Sequence, residues 1–348
     1  MPDLKPQRIL IIRLDRLGDV VLSTPVIQEL RKAFPQAFIA MMVRPACQEV
    51  LEGNPYLDQV ILYDKDGAHR RLLATVTFAF GLRRFKFDTA LVLHPSNRSH
   101  WIAALAGIPN RVGYNRKFAW LLTRRVPHNK QEGAYHEAQY TLQLLRFFGI
   151  DAGQPRPFVP VHPQALARVE GWLSEAGISA QDAVVAVHPS ASCISKRWMP
   201  QRFAAVADRL AKEKGVRICL VAGKEDAVYA QAVEKAMQAP VLNFSGKLTI
   251  SELAALMRRC RLLISNDSGP VHVAAAVGTP VVDIFGRNQQ GLSPKRWGPL
   301  GPGHVVLHKE VGCVTCLAHN CDINFLCLTS LTVEEVFSAA SGVLGAGA

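Results

Sequence analysis

No apolar run in this 348-residue chain reaches the roughly 18 residues that a membrane-spanning helix needs. The opening residues, Met1 to Arg8, have no apolar centre and no small-residue cleavage site. A secretory leader is therefore not expected, and a cytoplasmic location is. No G-x-G-x-x-G follows the strand patterns that open the two halves, and no G-x-x-x-x-G-K-[ST] occurs. That argues against an ordinary NAD dehydrogenase and against a P-loop NTPase. H-E-x-x-H and the G-x-S-x-G nucleophile elbow are missing too. Acidic residues are scarce in one half: residues 1–150 hold 12 Asp and Glu against 21 Lys and Arg, and the remainder holds 16 against 19. The net charge of +12 thus sits mostly in the first half. It suits an anionic partner, whether a phosphorylated glycolipid, a membrane surface or nucleic acid. Recognisable nucleic-acid modules are lacking, so nucleic acid is not expected.

What is present alternates strand and helix patterns. Apolar runs at Ile9–Ile12, Ala37–Val43, Gln59–Tyr63 and Thr89–Leu93 read as buried parallel strands, and Arg111–Tyr114 as a further short one. Helical patterns fall near 19–34, 45–53, 68–85 and 97–107, and Tyr135–Phe148 is an amphipathic helix. The second half repeats this with strands at Val184–Val187, Arg217–Val221, Val241–Phe244, Leu262–Ser265 and Val281–Phe285. Its helices fall near 200–213, 225–237, 250–258 and 269–277. The proline-rich, aperiodic stretch Asp151–Pro163 is the best linker. The fold class is α/β, with two Rossmann-like doubly wound domains, residues 1–155 and 165–330, facing across a cleft. Residues 331–348 form a terminal helix expected to pack back across the domains.

The chemistry-bearing residues follow strands. Gly18 and Asp19 come just after the first strand, where Asp19 either accepts a proton from an incoming hydroxyl or caps the helix. After the first strand of the second half come Ser192, Lys196 and Arg197, hydroxyl and cations suited to a phosphate-bearing ligand. Glu225 and Asp226 follow another strand, as a ribose-binding acid or a helix cap. Asn266-Asp267-Ser268-Gly269-Pro270-Val271-His272 runs from the strand Leu262–Ser265 into a helix. The N–H groups of Ser268 and Gly269 would face an anion such as a diphosphate. Cys313, Cys316, Cys321 and Cys327 have the density of a ligand set but not a standard zinc-finger spacing. They are a structural zinc or iron site or a set of reduced thiols.

The segments "ILIIRLDRLGDVVLSTPVIQELRKAFP", "ALVLHPSNRSHWIAALAGIPNRVGY", "VAVHPSASCISKRWMPQRFAAVADRL" and "LLISNDSGPVHVAAAVGTPVVDIFG" resemble, in this order, the lipopolysaccharide heptosyltransferases of glycosyltransferase family 9. The resemblance implies the GT-B fold and an inverting transfer of heptose from ADP-L-glycero-D-manno-heptose to the inner core of lipopolysaccharide, with no metal required for catalysis. It implies Asp19 as the general base. Ser192, Lys196, Glu225 or Asp226, Asp267, Ser268, Gly269 and His272 would surround the donor. The basic first half then faces the acceptor, with Arg13, Arg16, Arg98, Arg111, Arg116 and Lys117 as contacts, and Arg124 and Arg125 as further ones. The enzyme would sit peripherally at the inner face of the inner membrane. A subgroup that glycosylates autotransporter proteins holds iron through four cysteines, so a protein acceptor or another nucleotide sugar is the alternative.

Overall fold

Continuous apolar runs become strands buried on both faces, and each run takes its place beside the next through a crossover helix. The computed structural model describes residues 4–313, 316 and 318–346. The chain divides into two units, one ending at Pro160 and one beginning at Val161.

In the first unit the strands are β1 (Arg8–Ile12), β2 (Phe38–Val43), β3 (Gln59–Leu62), β4 (Thr89–Val92), β5 (Asn110–Asn115) and β6 (Arg124–Pro127). Every pairing is parallel, in the order β3-β2-β1-β4-β5-β6. The helices are α1 (Leu17–Val21), α2 (Thr24–Ala33), α3 (Leu72–Gly81), α4 (Asn97–Leu105) and α5 (Glu137–Leu142). The chain starts at the sheet centre, steps to one edge, then crosses to the other side of β1. That reversal creates a switch point between β1 and β4, and ligands of open α/β sheets bind outside the carboxyl ends of the strands there.

The second unit is α6 (Pro163–Glu175), β7 (Val184–His188), α7 (Pro200–Lys214), β8 (Arg217–Leu220), α8 (Ala227–Ala236), β9 (Val241–Asn243), α9 (Ile250–Arg259), β10 (Leu262–Asn266), α10 (Gly269–Ala276), β11 (Val281–Phe285), α11 (Pro294–Trp297), β12 (Val305–His308), α12 (Leu326–Thr329) and α13 (Val333–Ala346). Its parallel order, β12-β11-β10-β7-β8-β9, is the same winding, with the switch point between β7 and β10. Local signals set the helix ends. Thr249 and Glu252 form a reciprocal cap at the start of α9, and Gly215 ends α7 in the left-handed region at φ 66°. Trp198 is fully buried against Phe203, and its indole N–H donates to Leu331 O at 3.1 Å, so its one polar atom is satisfied. Removing such a side chain typically costs about 3–5 kcal/mol.

Two parallel six-stranded sheets with interleaved helices meet the α/β, twin Rossmann-like expectation. Strands β6 and β12 and helices α6, α11 and α12 are additions to it. Both of these strands lie at sheet edges: β6, RRVP, has no apolar run, and β12, VVLH, has three apolar residues, none of them fully buried. Three expected helices are partly or wholly 3-10: Pro45–Val50, Leu82–Phe85 and Gln143–Phe148. The contacts that anchor α13 are with α7 and with β10, β11 and β12, inside the second unit. Among the described residues no helix is long and apolar enough to cross a membrane.

Candidate functional site

At the first switch point, β1 carries Arg13 into the core, where its side chain is 1% exposed. A charge at that depth needs partners. Arg13 Nη2 donates to Asp19 Oδ1 at 2.6 Å, and both Nη atoms donate to Glu137 Oε1 at 3.1 Å. Its Nε faces Asp15 Oδ2 at 2.9 Å, an ion pair without hydrogen-bond geometry. Glu137 opens α5 and is also held by the buried Lys130 Nζ at 2.8 Å. Burial alone would lower the Arg13 pKa. Asp19, then Asp15 and Glu137, overrule it and keep the guanidinium charged well above its ordinary range. His94, which follows β4, stands 3.6 Å from Asp15 Oδ2, and burial keeps its imidazole below the ordinary value although Asp15 opposes this.

Asp19 retains a side chain 19% exposed. Its Oδ2 accepts from Arg16 N at 3.3 Å at the start of α1, and Ser23 Oγ donates to Asp19 O at 2.7 Å. One carboxylate thus serves as a helix cap and is also bound by a buried cation while staying part-exposed. A carboxylate so placed can accept a proton. The other basic residues divide into two groups. Arg16, Arg116, Lys117 and Arg125 are exposed. Arg98 donates to Lys65 O and Arg70 O at 3.1 Å each, and Arg111 donates through Nε to Leu121 O at 2.6 Å. The sequence grouped Arg13 and Arg111 with acceptor contacts. In the structure Arg13 is a buried clamp on Asp19, and Arg111 ties the edge of β5 to the turn that follows it. Neither Glu137 nor Lys130 was singled out.

At the second switch point the groups are mostly neutral. His188, at the end of β7, is buried, and burial pushes its imidazole down to about 4. Its Nε2 pairs with Ser190 Oγ at 2.9 Å, and its Nδ1 lies 3.1 Å from both Ser265 Oγ and Ser268 Oγ. Asn266 stitches the loop after β7 to β10: its Nδ2 donates to Pro189 O at 2.7 Å, and its Oδ1 accepts from Trp198 N at 3.0 Å. This holds the loop carrying Lys196 beside the start of α10. Lys196 Nζ forms an ion pair with Asp267, which leaves both largely buried. On β11, Asp283 is wholly buried, and neither of its carboxyl oxygens has a hydrogen-bond partner among the described residues. Burial, then the charge of Asp267, raises its pKa well above the ordinary carboxylate range, while Lys196 opposes.

Ser268 is the N-cap residue of α10, and its hydroxyl is turned to His188 and Ser265 rather than onto the helix. That leaves the backbone at the helix start as the anion-facing element. His272 is buried in the first turn of α10. Ser192 and Glu225 are exposed, and Asp226 and Gly269 are half-buried. The structure thus gathers Lys196, Asp267, Ser268 and Gly269 at one strand end. Ser190, Ser265, Asn266 and Asp283 support them; Asn266 opens the motif that runs to His272, and the other three carry no signal beyond their position in or after apolar strands.

The four cysteines line one cavity of about 240 Å³, together with Ser195, Arg287 and His308. Burial pushes the Cys327 thiol up to about 11, and the nearby Cys316, Cys321 and Cys313 add to the shift. Cys321 Sγ accepts from Phe325 N at 3.2 Å. Among the described residues, however, no three His, Cys, Asp or Glu side chains converge closely enough to hold an ion. The thiols as they stand do not fit a metal.

Residues 76–326 match the family described as glycosyltransferase family 9 (heptosyltransferase). Lipopolysaccharide heptosyltransferase 3 of Escherichia coli is 28% identical over 280 residues, which cover 77% of this chain and 80% of that protein. The crystal structure of the glycosyl transferase family 9 from Veillonella parvula DSM 2008 superposes with a TM-score of 0.90 at 28% identity, covering 98% of each chain. The E. coli ADP-heptose lps heptosyltransferase II structure has a TM-score of 0.76 at 23% identity, covering 98% of this chain and 99% of that one, and shares the fold.

Proposed function

Because the chain belongs to glycosyltransferase family 9 (heptosyltransferase), we propose that it moves heptose from ADP-L-glycero-D-manno-heptose to the inner core of lipopolysaccharide, with inversion. The observation that carries this reading is Asp19, a part-exposed carboxylate at a switch point, fixed through one oxygen by the buried Arg13. Asp19 takes the proton of the acceptor hydroxyl as that oxygen attacks the anomeric carbon from the face opposite the leaving group. Negative charge then grows on the departing ADP diphosphate. Lys196, the Ser192 hydroxyl and the N–H groups of Ser268 and Gly269 meet it. Asp267 and His272 contact the donor sugar, and Glu225 or Asp226 takes the ribose diol. Arg16, Arg98, Arg116 and Lys117 contact the anionic core.

The positive charge a metal would bring to the diphosphate is supplied here by Lys196 and the start of α10, so catalysis needs no metal ion. The cysteines have no part in the chemistry. A structural zinc or iron at Cys313, Cys316, Cys321 and Cys327 would have to draw the thiols closer than they stand. The enzyme works peripherally at the inner face of the membrane that presents the acceptor.

The test is ADP release by the purified chain. ADP-heptose, ADP-glucose, UDP-glucose and GDP-mannose are each offered with heptose-deficient lipopolysaccharides, before and after treatment with a chelator. Turnover with ADP-heptose that survives the chelator is expected. Turnover with another donor, or with ADP-heptose on a protein acceptor alone, would overturn the reading.

A further inference from the structure

Residues 67–131 hold twelve Lys and Arg and one acid, Asp88. The Asp88 carboxylate already accepts from the backbone N–H groups of Gln7 and Arg8. This stretch places Arg70, Arg71, Arg98, Arg116 and Lys117 after the carboxyl ends of β3, β4 and β5, beside Asp64 and the Arg44-paired Asp66, whereas Arg83, Arg84, Lys86 and Arg111 stand at the opposite, amino ends of β4 and β5. It also carries large apolar side chains in solvent. Leu72 and Leu73, at the start of α3, are 69% and 81% exposed, and Trp120 is 69% exposed.

These side chains belong to one face. The Phe118 ring lies between two tryptophans, 6.3 Å from Trp101 and 6.2 Å from Trp120. Arg98, one turn before Trp101 on α4, donates to Lys65 O and Arg70 O, which ties α4 to the segment that enters α3 at Leu72. Burial and then the charge of Lys117 depress His100 of α4, so Lys117 also stands by that helix. The three segments leave the carboxyl ends of β3, β4 and β5. His94, on the β4 exit, is beside Asp15. The exposed apolar group therefore lies at the same end of the sheet as the Asp19 carboxylate.

We propose that this face docks on an anionic lipid bilayer. Leu72, Leu73 and Trp120 enter the interface while the exposed Arg70 and Arg71 beside them meet lipid phosphates. Tryptophan favours the headgroup boundary, aliphatic side chains gain by leaving water, and clustered cations are drawn to anionic leaflets. A second copy would set like charges against each other. Nucleic acid would gain stacking at the tryptophans but nothing from Leu72 and Leu73. The proposal rests on the peripheral location in the reading above and is independent of the transfer chemistry.

The full chain is sedimented with vesicles of phosphatidylcholine alone and of phosphatidylcholine with phosphatidylglycerol. It is expected to bind the anionic vesicles, less so as salt rises. The combined variant Leu72→Ser, Leu73→Ser, Trp120→Ser is expected to partition about tenfold more weakly or less still. Its circular dichroism and its ADP release on a detergent-dispersed acceptor should stay as in the wild type. Equal binding to neutral and anionic vesicles, or a variant that binds like the wild type, overturns the proposal. So does a wild-type dimer that the variant loses in sedimentation velocity without any vesicle binding. If turnover is absent but vesicle binding follows the expected pattern, the transfer reading fails and the docking surface stands.

Discussion

The two switch points are built by the same strand order and solve opposite problems. In the first unit, a buried guanidinium is surrounded by Asp15, Asp19 and Glu137, with Lys130 closing the far side. In the second, a neutral imidazole and serine hydroxyls bond one another, and a single Lys196–Asp267 pair acts on the buried Asp283, whose pKa is raised by burial and by Asp267. The first arrangement holds a negative group in place, as a proton acceptor requires. The second keeps a hydroxyl and amide surface, with one cation, ready for an anion. The winding is shared, and the difference lies in which side chains leave each central strand.

The contrast breaks most sharply at Asp19. Asp19→Ala should lower kcat by about 10²–10⁴ while the ADP affinity measured by calorimetry stays as in the wild type. A variant with wild-type turnover would remove Asp19 from the chemistry. Next is the clamp. Arg13→Met leaves Glu137 and Asp15 short of a buried counter-charge and should cost the first unit about 3–5 kcal/mol in urea unfolding. A fall below about 1 kcal/mol would mean that the cluster is solvated and weak.

The second site is sharpened by pH. The native His188 pKa of about 4 lies below the ordinary 6.5, so between those values the unfolded chain binds the extra proton. The stabilising effect of a neutral His188 is whole above pH 6.5 and is lost as pH falls toward 4. The stability gap between wild type and His188→Gln should therefore narrow by up to about 3 kcal/mol across that window. A gap independent of pH would show that the imidazole is not held neutral. The smallest effect is expected at Lys196. Lys196→Ala should weaken ADP binding by about ten- to a hundredfold, and an unchanged dissociation constant would take the lysine away from the diphosphate.

The central strands were legible because β1, β7 and β10 are short apolar runs that end in or before polar residues, and their site residues were legible because they follow those ends. The edges β3 and β9 were legible too, but β6 and β12 were not: β6 is RRVP with a single apolar residue between cations and a proline, and β12 is only three apolar residues before His308. Glu137 and Lys130 were invisible for another reason. They lie more than a hundred residues from β1, and only the tertiary fold brings them to Arg13. Arg13 itself reads as a ligand contact because a cation beside a base looks the same in sequence whether it faces solvent or the core. Asp283 had a signal, a charge within an apolar strand, but its raised pKa comes from burial first and then from Asp267, and both depend on the tertiary fold.

Each sheet begins in its middle. Ile9 pairs with Thr89 and Val185 with Leu262, so neither central strand is completed on both sides until a long loop has closed. Closing such loops comes before the contacts that reward it, and folds rich in them assemble slowly. Nascent chains of this protein will therefore display half-paired β1 and β7 edges for the time it takes to synthesise their distant neighbours. Arg13 cannot find all of its partners until Glu137 has been made.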